Sequence, residues 1–361
     1  MLLVNFAVMP NPFQHTEGLI AWRSPSNIAL VKYWGKYGNQ LPRNASLSFT
    51  LKNAFTETAV HYRPKTTDEK GLSFSFAFEN KSNPKFEEKV GNFLNNIKFH
   101  FAFLEHLHLD ISSKNSFPHS AGIASSASSM SALALCLTDI ENHSYGGMRP
   151  AEFLEKASMI ARLGSGSACR SVYPYVAVWG KHPAVPLSSN EHAIPFYEQI
   201  APVFKTYKDA ILIVSGEEKS VSSRAGHALM ENHPQAQNRY AQAGDNLLRL
   251  ISAMKAGELD VFSEIVEDEA ITLHELMKSS TPPFELMKPN SLKIIDLLKT
   301  FRKEKSVPLC YTLDAGPNVH VLYPAENATE TETFIKDELL KWCENGKAIF
   351  DEVGDGPNKL S

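Results

Sequence analysis

Cysteine is scarce. The four thiols, Cys136, Cys169, Cys310 and Cys343, lie far apart in 361 residues and form no CxxC pair, which excludes a zinc ribbon and a disulfide framework as organising principles. Long apolar runs are missing as well. None reaches the length of a membrane span, and the opening MLLVNFAVMPNPFQH has no basic segment and is broken by Pro10 and Pro12, so it does not read as a signal peptide. Nor is there an excess of one charge: the formal net charge is −4 and the pI about 6.4, with no lysine or arginine block. That excludes a general affinity for nucleic acid or anionic membrane and makes any anion site local. A Walker loop, a GxSxG elbow and an HExxH helix are all absent. The internal KDEL string at Lys336 to Leu339 carries no retention meaning, and sequons at Asn44, Asn142 and Asn327 matter only on secretion. A reducing cytoplasm fits best.

What is present is enough for two globular domains, with 43% hydrophobic and 21% charged residues. Alternation predicts strands through Leu47, Phe49 and Leu51, through Thr56, Thr58, Val60 and Tyr62, and through Leu72, Phe74, Phe76 and Phe78, forming an early antiparallel sheet. Pro84 opens a helix whose stripe is Phe86, Val90, Phe93, Leu94 and Ile97. A strand at Leu107 to Ile111, a serine turn with its helix, a helix at Ala151 to Leu163 stopped by Gly164 and a strand at Tyr175 to Trp179 complete the first half. The boundary falls near residue 203, giving domains 1–202 and 203–361. The second half reads as a buried strand at Ala210 to Ser215, helices at Gln235 to Ala256, Leu259 to Lys278 and Ser291 to Arg302, strands at Cys310 to Leu313 and Val319 to Tyr323, and a final helix at Glu330 to Cys343. Strands and helices segregate, which is the pattern of an α+β fold. No repeat of 20–50 residues is present. His100, His106 and His108 span a helix end and a strand and read as surface or packing residues.

Five segments carry candidate chemistry. PHSAGIASSASSMSALALCL, Pro118 to Leu137, feeds a glycine- and serine-rich turn into an alanine-rich helix, a place where backbone N–H groups favour a phosphate and where the serines serve equally as N-caps. NIALVKYWGK, from Asn27, sets Lys32 and Lys36 beside Tyr33 and Trp34, suited either to a polyanion or to snorkelling over an apolar edge. GSGSACRS, Gly164 to Ser171, offers Ser165, Ser167 and Arg170 after a helix end, where they suit a carboxylate or phosphate or simply cap a loop. SGEEKSVSSRAG, Ser215 to Gly226, brings Ser222, Ser223 and Arg224 to a helix start, an anion-friendly place and an ordinary N-cap position alike. In CYTLDAGPN, Asp314 ends a strand, as a turn former or as a general base on a rigid element.

Taken in order, NIALVKYWGK, LPRNASLSFTL, FPHSAGIASSAS, ARLGSGSACRS, VSSRAG, YTLDAGPN and VGDGP resemble the GHMP small-molecule kinase superfamily and, within it, the mevalonate diphosphate decarboxylases. The resemblance implies a two-domain GHMP kinase fold: an N-terminal domain like domain 2 of ribosomal protein S5, a ferredoxin-like C-terminal domain, and the site in the cleft between them. It implies ATP-dependent decarboxylation of mevalonate 5-diphosphate with Mg²⁺, in a homodimer. Asp314 is then the base or orienter for the substrate hydroxyl, Lys32 offsets charge beside it, and Arg170 holds the substrate carboxylate. Tyr33, Lys36, Ser165, Ser167, Ser223 and Arg224 form the substrate shell; Gly122, Ser125 and Ser126 cradle ATP phosphates; the metal ligands stay unassigned. Relatives that accept the 5-monophosphate, or stop at 3-phosphorylation, remain alternatives, with a non-catalytic sensor behind them. Ser128 and Ser129 depart from the family's alanine and glycine, and the stretch before Glu17 has no family counterpart, so Met9 is an alternative start.

Overall fold

The structure is a computed structural model that describes residues 13, 16–117, 123, 125–217 and 223–361, with the side chains of Ser223 and Arg224 outside that description. Gly122 and Ser222 also lie outside the described residues. In chain order the first half holds β1 (Gly18–Val31), the small hairpin β2 (Lys36–Tyr37) and β3 (Leu41–Pro42), β4 (Ser46–Pro64), β5 (Ser73–Phe78), α1 (Pro84–Ile97), β6 (Leu107–Asn115), α2 (Ser125–Tyr145), α3 (Pro150–Gly164), β7 (Val176–Trp179) and β8 (Ala193–Pro195). The second half holds β9 (Lys208–Leu212), α4 (Ser223–Leu229), α5 (Ala236–Ala256), α6 (Leu259–Lys278), α7 (Pro289–Lys305), β10 (Cys310–Thr312), β11 (Val319–Tyr323), α8 (Ala328–Phe334), β12 (Ala348–Glu352) and β13 (Asn358–Lys359).

The first sheet runs β13-β1-β4-β6-β5, with β7 on β4 and β8 on β7. Two of the expected strands are one, since the Leu47 and Thr56 runs fuse into the 19-residue β4. The sheet is not wholly antiparallel: β5 pairs with β6 in parallel, because α1 carries the chain back over the sheet before β6 begins. Asn83 caps α1 by accepting a hydrogen bond from Phe86 N at 3.2 Å, and Val90, Phe93, Leu94 and Ile97 are buried beneath it. Helix α2 is buried on nearly every side from Ala127 to Ile140. Its serines match a polar stripe of the sheet: Ser128 shares a hydrogen bond with Thr56 at 2.6 Å and Ser131 with Ser24 at 2.5 Å. Ser128 therefore packs against the sheet, while the Ser129 hydroxyl closes back on Ser125 O at 2.8 Å.

The second sheet, β10-β11-β9-β12, is antiparallel, with α7 and α8 packed on it. The expected final helix breaks after Phe334 into a π turn, Ile335–Leu339, and a 3-10 turn, Leu340–Trp342, so that Ile335 and Leu339 reach the core together. Between the two sheets lies a shared apolar layer in which Phe49 and Tyr207 pack around Phe262 with ring centroids 5.9 Å and 5.3 Å from it. Polar joins add to it. Asp351 of β12 accepts from the backbone N–H of Lys52, Asn53 and Ala54 in β4, and β13 returns to pair with Trp22 and Arg23 of β1. Strands β1 and β10 end at Val31 and Thr312, and residues just beyond those ends, Lys32 and Asp314, enter the candidate site.

Candidate active site

Strand β1 ends at Val31, and the next residue turns inward. Lys32 N donates to Glu269 Oε2 at 2.8 Å, and Lys32 O accepts from Arg239 Nη2 at 3.1 Å and from Asn44 Nδ2 at 3.0 Å. With its backbone gripped on both sides, the Lys32 side chain does not snorkel: it is 2% exposed, donates to Ala29 O at 2.7 Å and lies 3.2 Å from Asp314 Oδ1. Burial pulls the lysine pKa down and the Asp314 carboxylate opposes that shift. Asp314 follows β10 after one residue, Leu313. Its carbonyl closes a tight turn with Gly316 N at 2.7 Å and accepts from His274 Nε2 at 3.2 Å, so the residue forms the turn and still presents its carboxylate to Lys32.

Arg170 sits in the 3-10 segment Gly166–Val172 that follows α3. It is 1% exposed, yet its partners are neutral: Ser48 Oγ at 3.0 Å, Ser46 Oγ at 2.7 Å and Asn27 Oδ1 at 3.2 Å. Among the described residues no carboxylate lies within ion-pair distance of it. A buried guanidinium held by hydroxyls and an amide is oriented but not neutralised, a state that favours an incoming anion.

Lys32, Tyr33, Lys36, Ser126, Ser165, Ser167, Arg170 and Asp314 all line one cavity of about 670 Å³. The Tyr33 ring stacks on His227 at 4.6 Å and meets Trp179 edge-on at 4.7 Å, while Lys36 Nζ lies 5.8 Å above it and donates to Gln40 Oε1 at 2.6 Å. The Ser126 and Ser165 hydroxyls are 3.2 Å apart and join the first turn of α2 to the end of α3. Ser125 begins α2 but is not among the residues lining the cavity.

The glycine at 166 reflects close approach. A Cβ there would stand 2.7 Å from Tyr33 Oη and 2.9 Å from Trp179 Cη2. Gly166→Ala is expected to push the Tyr33 ring into the cavity and raise KM by roughly tenfold, equal to about 1.4 kcal/mol. Steady-state kinetics measure this, and an unchanged KM would mean that Trp179 yields instead.

Several cavity residues escaped the sequence reading. His227 accepts from Gly35 N through Nδ1 at 3.0 Å, and its only sequence signal was its place just after VSSRAG. Lys89, Asn92 and Asn96 of α1 face the same space. Their helical spacing was visible but only the apolar stripe was followed. Glu269, Arg239 and His274 gave no local signal at all, because each acts on residues far away in sequence.

Burial holds His227 well below the ordinary histidine value, with Lys36 adding to the effect, and pushes His274 down to about 4. In the unfolded chain both titrate near about 6.5. Lowering the pH from about 7 to about 5 therefore protonates the unfolded chain more than the folded one, and their contribution to stability, complete above the unfolded value, is lost. The urea midpoint should fall over that range, and it should fall less in His227→Phe.

This geometry has relatives. A diphosphomevalonate decarboxylase-like N-terminal domain model matches residues 24–189, and a mevalonate 5-diphosphate decarboxylase C-terminal domain model matches residues 210–358. The diphosphomevalonate decarboxylase of Ganoderma lucidum is 32% identical over 92% of this chain and 84% of its own length. That of Eremothecium gossypii is 30% identical over 84% and 77%. Among solved structures, mevalonate diphosphate decarboxylase from Staphylococcus aureus superposes with a TM-score of 0.82 at 28% identity, covering 96% of this chain and 99% of that one. A structure of MDDEF in complex with MVAPP, AMPPCP and magnesium gives 0.79 at 29% identity, covering 96% and 100%. With both halves matched by the family's models and whole-length relatives on either comparison, the α+β chain has the two-domain GHMP kinase fold and belongs to the diphosphomevalonate decarboxylase family.

Proposed function

We propose that the protein converts mevalonate 5-diphosphate and ATP to isopentenyl diphosphate, ADP, phosphate and carbon dioxide, with Mg²⁺. The observation that carries this reading is the convergence of Asp314, Lys32 and an acid-free Arg170 on one cavity. Asp314 takes or orients the proton of the substrate's tertiary hydroxyl as its oxygen attacks the γ-phosphorus of ATP. Lys32 Nζ, held between Ala29 O and Asp314, pairs with that carboxylate and offsets negative charge near the reacting oxygens. Arg170 fixes the substrate carboxylate so that its carbon–carbon bond aligns with the breaking carbon–oxygen bond. Phosphate then departs with the carbon–oxygen electron pair, and the electrons of the carboxyl bond become the alkene.

Tyr33, Lys36, Ser165 and Ser167 supply the rest of the substrate shell, with Ser223 and Arg224 proposed from their motif alone. Ser126, with Ser125 and Gly122, is proposed for the ATP phosphates. The Ser126 and Ser165 hydroxyls, 3.2 Å apart on the cavity wall, are oxygen donors that suit an ion bound chiefly by phosphate. Mg²⁺ would take phosphate oxygens together with the Ser126 and Ser165 hydroxyls. When bound it supplies charge neutralisation on the phosphates.

A cytoplasmic location is supported by four cysteines that are all free and buried, a homodimer by the family resemblance, and a domain boundary near residue 203 by the irregular, proline-containing stretch from Pro195 to Lys208. No helix among the described residues is long and apolar enough to cross a membrane. The test is release of phosphate and carbon dioxide by purified protein with ATP and Mg²⁺, offering mevalonate 5-diphosphate, its 5-monophosphate and mevalonate in parallel. Both products from the diphosphate alone support the reading. Carbon dioxide from the monophosphate alone moves the protein to that substrate, ADP without carbon dioxide makes it a kinase, and no turnover makes it a ligand sensor.

A further inference from the structure

Helix α6 touches both halves of the reacting pair from outside the cavity. Glu269 Oε2 accepts Lys32 N at 2.8 Å, and five residues further along the same helix His274 Nε2 meets Asp314 O at 3.2 Å. Lys32 comes from the end of β1 and Asp314 from the turn after β10, so one rigid element spans two segments that are 282 residues apart in sequence. Glu269 is itself fully constrained: it pairs with Arg239, is 0% exposed, and its Oε1 accepts from Asn246 Nδ2 at 2.8 Å and from Arg239 Nη1 at 2.8 Å.

His274 is placed differently. A carbonyl oxygen only accepts, so the proton of this imidazole is on Nε2 and Nδ1 is a bare acceptor. Among the described residues that buried Nδ1 has no partner, and the side chain is 2% exposed. An orphaned acceptor costs stability, and a hydrocarbon of similar size would avoid the cost. Among the described residues the ring's one hydrogen bond is to the Asp314 carbonyl, which already has Gly316 N at 2.7 Å to satisfy it. Holding the fold together does not require that second donor.

We infer that His274 is a positioning residue: with Glu269 it makes α6 a bracket that sets the separation of the Lys32 ammonium and the Asp314 carboxylate. It touches no substrate and works through the backbone of Asp314. The inference rests on the proposed roles of Asp314 and Lys32, and it predicts a rate effect without a stability effect.

The experiment compares His274→Leu and His274→Gln in the full-length protein, with thermal unfolding and steady-state carbon dioxide release from mevalonate 5-diphosphate. His274→Leu should unfold at or above the wild-type temperature, keep KM within about twofold and lose kcat by about 10- to 100-fold, the scale of a misplacement near 1 Å. His274→Gln, which retains an N–H donor, should recover most of that loss. A wild-type kcat in His274→Leu overturns the inference, as does a leucine variant whose unfolding temperature and rate fall together and are not restored by glutamine. Inactivity of the wild-type protein itself would instead overturn the proposed reaction, so the two failures are distinguishable. If the leucine variant does not fold, Glu269→Gln, which keeps an oxygen for Lys32 N, reads the other arm of the bracket: the inference expects a lower kcat with KM unchanged, and an unchanged kcat overturns it.

Discussion

Asp314→Asn should lower kcat for carbon dioxide release by about 10³- to 10⁴-fold, at the upper end of what a positioned base contributes, while leaving substrate binding within a few-fold. Two losses coincide in this one change. The amide cannot accept the hydroxyl proton, and it also removes the charge that lies 3.2 Å from Lys32 Nζ. Burial already pulls the Lys32 pKa down, and Asp314 is the foremost group opposing it. Without the carboxylate the lysine becomes a worse cation, left with Ala29 O and the charge of Glu269. Asparagine is close to aspartate in size, and the turn is held through the Asp314 backbone carbonyl by Gly316 N and His274, so the fold should survive. Single-turnover measurement of phosphate and carbon dioxide, with calorimetric titration of mevalonate 5-diphosphate, separates rate from affinity. A variant that keeps more than a tenth of the wild-type kcat would remove Asp314 from its proposed role.

Much of this site was legible as motifs and little of it as geometry. The helices α1, α5, α6 and α7 follow from apolar periodicity, because in each the buried face repeats at helical spacing, and β11 follows as a short apolar run buried throughout. Strand β1 escapes the alternation test, since its Ser24, Pro25 and Ser26 break any alternation. These serines are buried because other polar groups meet them, Ser131 Oγ for Ser24 and Ile123 O for Ser26 at 2.9 Å. Strands β12 and β13 were missed because they are short and take their place from partners, β9 and β1, distant in sequence. The parallel pairing of β5 was hidden for the same reason: a strand pattern carries its faces but not its direction.

The lysine pair illustrates the limit more sharply. Lys32 and Lys36 look alike in NIALVKYWGK, yet one is 2% exposed and fixed by Glu269, Arg239 and Asn44 through its backbone, while the other reaches Gln40 from a small hairpin. Nothing within ten residues of Lys32 tells them apart. What separates them is the buried Arg239–Glu269 pair on α5 and α6.

Arg170→Gln should lower carbon dioxide release by about 10²- to 10³-fold, the equivalent of losing a desolvated charge pair worth about 3–4 kcal/mol. The expected companion result is that the free protein is no less stable. In the wild type Arg170 is 1% exposed, and its donors go to Ser46, Ser48 and Asn27, so its charge is desolvated with no carboxylate at ion-pair distance among the described residues to repay the cost. Burial accordingly lowers its pKa, although a guanidinium stays protonated. Glutamine removes that burden, leaves one amide to share among the same acceptors, and leaves Ser46 Oγ its bond to Trp179 O at 3.2 Å. A substrate carboxylate should therefore raise the unfolding temperature of the wild type more than that of the variant, because only the wild type has an unpaired cation to neutralise. Thermal unfolding with and without mevalonate 5-diphosphate reads this difference, and the carboxamide analogue of the substrate should abolish it. Equal stabilisation of both proteins by the acid would place the carboxylate elsewhere in the cavity and leave Arg170 as a scaffold for Ser46, Ser48 and Asn27.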